Sequence, residues 1–262
     1  MYLILRLSAI LFMTLVYSIL IFILGALFTS FFQLIAERIP NHESINGRSY
    51  CLQCHHQLRW VDIIPVFGFL LNKGKCHFCN MPIPISHVIL EILGGLLFVF
   101  AYLNIGFQLE LVVAIIMISV LLAESISDAL YMIVIDRIWM IGIVPIIVIR
   151  IIQGDFLKYG LSSLVLFAIL YMFAYIGKKM YHKEAFGGGD VKIYLFIGFC
   201  LTYQLGILSL FLASLFGLIY GIIKRKSGNS EIALIPFIFA GVLIAYFYGD
   251  IMMSWYLNLL GV

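Results

Sequence analysis

Long runs of apolar residues, each about as long as a bilayer-spanning helix, occupy most of this sequence. Hydrophobic residues make up 64% of the 262 positions and charged residues only 11%, a balance that soluble domains of this size do not reach. One helical crossing needs about 20 apolar residues. The sequence therefore predicts an all-α polytopic membrane protein in contact with a lipid bilayer. We expect about eight transmembrane helices, over Leu5–Ser30, His87–Ile105, Leu109–Ser125, Ile138–Ile152, Gly160–Gly177, Ile193–Leu201, Leu205–Ile223 and Ile232–Met252.

A polar stretch follows the first helix and carries four of the five cysteines as two Cys-x-x-Cys pairs. The pattern predicts three parts: a first transmembrane helix over 1–36, a small metal-binding domain over 37–86, and a transmembrane domain over 87–262. Four thiolates satisfy tetrahedral zinc and leave no open position for water, so we expect a structural zinc ion. The alternatives are a redox dithiol pair, oxidised cysteines, or a neighbouring histidine in place of one thiolate. The expected ligands are Cys51, Cys54, Cys76 and Cys79.

Lysine and arginine placement predicts the orientation in the membrane. With an external N-terminus and eight spans, 13 basic residues fall inside and three, Arg6, Arg150 and Lys158, fall outside. The metal-binding domain is then cytoplasmic. No basic patch with interleaved aromatic residues is present in the sequence, so we expect no nucleic-acid partner.

Two aspartates at predicted span edges are the leading functional candidates. Asp128 follows the third span, and Asp190 ends the segment Gly187-Gly188-Gly189-Asp190 before the sixth. Carboxylates near hydrocarbon are costly and are usually kept for function. Two that meet can share a proton and activate a water molecule, which predicts an aspartyl protease. Three glycines permit close approach of a substrate backbone, and Lys192 either faces headgroups or tempers the local charge.

Two further acids lie near Asp128. Asp136 follows an apolar stretch that we expect to form a tight reversal, and from position alone it is an alternative partner for Asp190. Its place beside Arg137 is more simply explained by an interface pair or a helix N-cap. Glu124 lies one turn before Asp128 on roughly the same helix face, where we expect at most a minor role as a polar contact.

Taken in order, these motifs resemble the type IV prepilin leader peptidases, a family with a zinc-bearing segment after the first span and a GxGD-type aspartyl site. The resemblance covers most of the chain. It implies that Asp128 is the first catalytic acid and Asp190 the second. The chain departs from the family where Val134-Ile135-Asp136 replaces an Ile-Pro-Asp/Asn reversal, and where Phe237-Ile238-Phe239 lacks a frequent Gly-Pro. The matching segments are Glu37-Arg38-Ile39-Pro40, both Cys pairs, Asp62-Ile63-Ile64-Pro65, Glu91, Ser127-Asp128, Gly187 to Lys192 and Ile235-Pro236-Phe237.

The resemblance implies a function and a location. Family members cut the basic leader of prepilins or pseudopilins after a glycine, at the inner face of the bacterial cytoplasmic membrane. Many also methylate the new N-terminus with S-adenosylmethionine. The resemblance alone suggests this cofactor for the present chain.

Two other classes of function compete with this hypothesis. A proton- or cation-coupled transporter would also place acids in the membrane, but near mid-span and within an inverted repeat. A zinc-stabilised assembly subunit would need no acid pair. Neither alternative requires Asp128 and Asp190 to meet, so their separation in a structure discriminates between the hypotheses.

Overall fold

The computed structural model describes residues 2–51, 53–181, 187–224 and 232–259, and ten α-helices occur in these ranges. They are α1 (Tyr2–Arg38), α2 (Trp60–Ile63), α3 (Phe67–Leu71), α4 (Ile85–Ile105), α5 (Leu109–Tyr131), α6 (Asp136–Ile152), α7 (Phe156–Tyr181), α8 (Gly188–Cys200), α9 (Tyr203–Lys224) and α10 (Ile235–Leu259). The chain divides into two compact units, residues 1–111 and 112–262.

In the first unit, α1 packs against α4 through small residues. A β-carbon on Gly25 would lie 2.8 Å from the Gly94 carbonyl oxygen and 2.9 Å from the Gly95 α-carbon, so only glycine allows this approach. Close backbone packing at small residues is the usual device for membrane helices, which lack a hydrophobic force between them.

The polar segment of the first unit is tied together by two carboxylates, Asp62 and the buried Glu91. The Arg59 guanidinium donates to Asp62 at 2.8 Å, and the Asn72 amide donates to the same carboxylate at 2.8 Å. The Arg59 hydrogen bonds hold the pKa of Asp62 well below its usual range. Glu91 of α4 accepts the backbone N–H of Val66 at 2.7 Å, which links α4 to the turn before α3.

Six helices of the described part are long and apolar enough to cross a membrane: α1 from Ile10, α4, α5, α7 to Met180, α9 and α10. The eight-span count is therefore not confirmed. The helices α6 and α8 have 17 and 13 residues, which at 1.5 Å per residue correspond to roughly 25 and 20 Å, short of a 30 Å hydrocarbon core. The all-helical, multi-pass membrane class is confirmed.

In the second unit, polar groups of α6 and α7 hold the C-terminal half of α8. Arg150 is buried and donates to the carbonyl oxygens of Phe199 at 3.0 Å and Cys200 at 3.2 Å. Ser163 donates to the Leu195 carbonyl oxygen at 2.7 Å. The Arg150 bonds satisfy carbonyl groups at the end of α8, and together with the Ser163 bond they fix this helix against its neighbours. The opposite end of α8 carries Asp190.

Candidate active site

Asp128 lies in the last turn of α5, which continues six residues beyond the predicted end of the third span. Its side chain is buried, and Oδ2 accepts the backbone N–H of Ile235, the first residue of α10, at 2.9 Å. The N-terminus of a helix carries orphan N–H groups and a partial positive charge, which favour a carboxylate there. The backbone of Ile235 therefore holds the Asp128 carboxyl group.

A four-residue reversal, residues 132–135, joins α5 to α6, so the predicted reversal is confined to the end of the apolar stretch, and residues 129–131 belong to α5. The Ser127 hydroxyl donates to the Ile133 carbonyl oxygen at 2.8 Å, and the Met132 N–H donates to the Asp128 carbonyl oxygen at 2.9 Å. Met132 has a φ of 55°. This reversal lies at the same end of the unit as Asp128, so its shape bears on where that aspartate sits.

Asp190 lies in the first turn of α8 and is half-buried. Its backbone N–H donates to the Gly187 carbonyl oxygen at 3.1 Å. Gly189 faces the reversal, and a methyl group there would overlap the Val134 side chain. Only a glycine at position 189 therefore lets the first turn of α8 rest on the reversal.

The two predicted aspartates flank the same reversal, Asp128 in the last turn of α5 and Asp190 in the first turn of α8. The carboxyl groups of Asp128 and Asp190 lie close enough to interact electrostatically. The other glycines differ from Gly189: a β-carbon at Gly187 would lie 3.0 Å from Asp190 Oδ2, whereas one at Gly188 would meet nothing within 4 Å. Phe186, which begins the Phe-Gly-Gly-Gly-Asp motif, lies outside the described residues.

Asp136 and Lys192 form an ion pair at 2.7 Å between α6 and α8. The Trp139 indole N–H also donates to Asp136, at 3.2 Å. The expectation that Asp136 is a helix N-cap is wrong, because Ile135 occupies that position and Asp136 is the first helical residue. Lys192 therefore has a carboxylate partner on α6, and its supporting role at the site stays a prediction.

Glu124 has a contact that the sequence did not indicate. It is fully buried, and Oε2 accepts the backbone N–H of Ile135 at 2.8 Å. Its expected role was a polar contact between helices, whereas its partner is the backbone of the reversal that follows its own helix. The sequence shows only that a carboxylate lies one helical turn before Asp128. It does not indicate that this carboxylate accepts a hydrogen bond from the backbone of Ile135.

The four-cysteine cluster lies in the first unit and has the geometry of a metal site. All four Sγ atoms lie within 4.8 Å of one another, and Cys51 and Cys79 are 3.8 Å apart. Zinc–sulfur bonds of about 2.3 Å in a tetrahedron would place sulfur atoms about 3.8 Å apart. The cluster could therefore hold a metal ion.

The two Cys-x-x-Cys turns share one backbone pattern. The N–H of Cys51 donates to the His56 carbonyl oxygen at 3.0 Å, and that of Cys76 donates to Met81 at 2.8 Å. The fourth residue after each of these cysteines, His55 and Asn80, has a positive φ of 54° and 58°. Two like turns present their thiols to a common point, which is the arrangement that a four-sulfur site requires.

The thiols of Cys51 and Cys79 have different pKa values. The backbone N–H of Cys54 lowers the pKa of Cys51 to about 7. At Cys79 a backbone hydrogen bond from Met81 lowers the pKa, but desolvation and the three neighbouring thiols outweigh it and raise the pKa to about 12. Metal binding at this cluster must therefore release protons, which makes affinity pH-dependent.

Two family models match consecutive parts of the chain. Residues 23–105 match the Bacterial Peptidase A24 N-terminal domain, and residues 115–222 match the Type IV leader peptidase family. The Prepilin leader peptidase/N-methyltransferase of Bacillus subtilis (strain 168) is 31% identical over 244 residues, covering 91% of this chain and 97% of that protein.

The protein of the same name from Myxococcus xanthus (strain DK1622) is 30% identical, and the match covers 79% of this chain and 63% of that protein. The one from Legionella pneumophila is 28% identical, and the match covers 80% of this chain and 76% of that protein. No solved structure matches the chain. The chain belongs to the type IV leader peptidase family. The resemblance inferred from the order of the motifs is confirmed, as is the prediction of an enzyme; the transporter and the non-catalytic subunit are set aside.

Proposed function

We propose that this chain is an aspartyl endopeptidase that removes the leader of prepilins or pseudopilins, with Asp128 and Asp190 as the catalytic acids. The observation that carries the proposal is the placement of both aspartates beside one reversal, at the end of α5 and in the first turn of α8, where their carboxyl groups interact electrostatically. Each has its own support: Asp128 is held by the start of α10, and Asp190 by the packing of Gly189 on Val134.

The pair suits acid–base hydrolysis. Two adjacent carboxyl groups do not both ionise cheaply, so one is protonated while the other is charged. The charged member accepts a proton from water, which attacks the scissile carbonyl carbon. The protonated member donates its proton to the carbonyl oxygen, which gives a tetrahedral diol. As the C–N bond breaks, the first acid gives its newly gained proton to the leaving amine, and the second acid takes a proton back from the diol.

The proposed substrate is a helix with a basic cytoplasmic leader. The candidate spans α1, α4 and α5 carry the chain inward, outward and inward again, which puts Asp128 on the cytoplasmic side if the N-terminus is external. Cleavage would then occur at the headgroup boundary after the substrate's glycine, where water is available and a helix unwinds easily.

The proposal is tested with purified protein in lipid vesicles and a synthetic substrate. The substrate has a lysine-rich leader, one glycine and a hydrophobic helix, and mass spectrometry locates the cut. We expect a single cut directly after the glycine and none when that glycine is replaced by isoleucine. Cleavage elsewhere, or none by the wild-type protein, would contradict the proposed specificity. The same spectra report whether added S-adenosylmethionine leaves a methyl group on the new N-terminus.

Asp136→Asn should retain most of the cleavage rate. The Asp136–Lys192 pair is 40–49% exposed, and exposed ion pairs contribute about 0–1 kcal/mol, so we expect a loss of no more than about fivefold. Lys192→Gln serves as the matched variant and should behave alike. If Asp136→Asn is inactive while Asp128→Asn cuts, the pairing of catalytic acids is wrong.

We also propose that the cysteine cluster binds one structural zinc ion per chain. A short segment that buries few apolar side chains gains folding free energy from a metal. Elemental analysis of purified protein should find about one zinc ion per wild-type chain. The Cys51→Ser/Cys76→Ser double variant should lose it and become sensitive to proteases between residues 40 and 85. The control is Cys200→Ala, which alters the buried cysteine of the second unit; zinc retained in the double variant would refute the assignment.

A further inference from the structure

A fully buried carboxyl group of the second unit has no role in the proposed hydrolysis. Glu124 is 0% exposed, one helical turn before Asp128 on α5. Among buried side-chain oxygen and nitrogen atoms of the described residues, its Oε1 stands alone in having no hydrogen-bond partner. A carboxyl group kept in such a place at this cost calls for an explanation.

The other carboxyl oxygen of Glu124, Oε2, accepts the backbone N–H of Ile135. Ile135 is 5% exposed and stands directly before α6, with φ −92° and ψ 92°. An N–H at this position has no carbonyl acceptor within its own helix. A buried N–H without an acceptor is costly. The 2.8 Å hydrogen bond to Glu124 therefore allows the N–H of Ile135 to be buried at this position.

The reversal that this bond holds is also the surface beneath Asp190. Ile135 follows Val134, the residue on which Gly189 packs. At the other end of the reversal, Met132 bonds to the Asp128 carbonyl oxygen. A shift of residues 132–135 would therefore move the first turn of α8 relative to the end of α5, and with it the distance between the two aspartates.

We propose that Glu124 is a positioning residue for the aspartate pair, acting through the backbone N–H of Ile135. The inference rests on the proposed function of Asp128 and Asp190. Glu124 itself is not placed in contact with substrate, because it is fully buried and one of its oxygens is bound to the backbone. Its effect is to fix the reversal on which the geometry of the pair depends.

The test removes the acceptor and then the donor. Glu124→Leu leaves the Ile135 N–H unpaired, and we expect kcat to fall about tenfold or more with little change in KM. Glu124→Gln keeps an acceptor oxygen and should stay within about threefold of the wild type. Adding Ile135→Pro to Glu124→Leu deletes the orphan N–H, because proline has none, and should recover most of the lost rate.

The rescue separates positioning from a general loss of packing. Replacing an isoleucine by proline repairs Glu124→Leu only if the two sites communicate through that N–H. Should the proline variants fail to fold, as judged by yield and melting in detergent, the α-hydroxy analogue of isoleucine at position 135 replaces them. It exchanges the N–H for an oxygen and keeps the side chain, so it should raise the Glu124→Leu rate in the same way.

Three results would overturn the inference: a wild-type rate in Glu124→Leu, a Glu124→Gln rate as low as that of Glu124→Leu, or no recovery when the Ile135 N–H is removed from folded protein. Asp128→Asn is measured in the same assay. If it cuts, the proposed catalytic pair fails whatever Glu124 does. If it is inactive while Glu124→Leu is fully active, the inference alone fails.

Discussion

Asp128→Asn and Asp190→Asn should each abolish leader cleavage while leaving the protein folded and inserted in the membrane. Asparagine matches the shape of aspartate but neither accepts nor releases a proton in the required way. Since acid–base groups contribute about 10²–10⁴-fold each, we expect a rate loss of at least about 10³-fold for either variant. The measurement is the initial rate of leader removal in vesicles, normalised to the amount of folded protein.

Asp250→Asn is the matched control for charge removal. Asp250 lies on α10, 15 residues beyond the Ile235 N–H that contacts Asp128, or roughly 22 Å along the helix. It is exposed, so its substitution should leave the rate unchanged. Full activity in either catalytic variant would remove that residue from the mechanism.

Gly189→Ala should also slow cleavage strongly, and Gly188→Ala should be tolerated. A methyl group at position 189 would overlap Val134, so α8 must move away from the reversal. Misplacement of a catalytic group by about 1 Å can cost about 10²-fold in rate, and we expect a loss of that size. At position 188 the space is open, and alanine favours the helix by about 0.5–1 kcal/mol over glycine.

The two glycine variants carry the same added atom one residue apart, so each serves as the control for the other. A second variant tests the contact itself: Val134→Ala makes room for the added methyl group and should restore part of the Gly189→Ala rate. If Gly188→Ala is the inactive variant and Gly189→Ala the active one, the packing of Gly189 on the reversal does not govern the site.

Much of the site could be predicted because its chemistry is local in the sequence. A carboxylate beside an apolar run is unusual enough to be noticed, and so is a Gly-Gly-Gly-Asp segment before one. The cysteine pairs were equally visible, since each knuckle spans only a few residues. The structure adds the common backbone pattern of the two turns.

The remaining features depend on packing between helices that are distant in the sequence. Lys192 meets Asp136 only because α6 and α8 are neighbours, and no spacing rule predicts that pair. Hydropathy ended the third span at Ser125, whereas the backbone hydrogen bonding of α5 continues through Asp128 to Tyr131. Hydropathy likewise counted α6 and α8 as spans, although both are short for a crossing.

The missing proline of the reversal shows why side-chain roles were harder to predict. Ile135 supplies an N–H where a proline would not, and the structure pairs it with Glu124. From the sequence, Glu124 was a spare acid near the site. Its partner is a backbone group eleven residues away, which no side-chain motif records.

The central claim is that Asp128 and Asp190 act as one catalytic unit. Its most direct test compares the cleavage rates of Asp128→Asn, Asp190→Asn and the double variant, with Asp250→Asn as reference. Groups that act together are strongly non-additive, so each single variant should lose about as much rate as the double variant. A double variant whose loss equals the product of two partial single losses would contradict a shared mechanism, as would wild-type cleavage by either single variant.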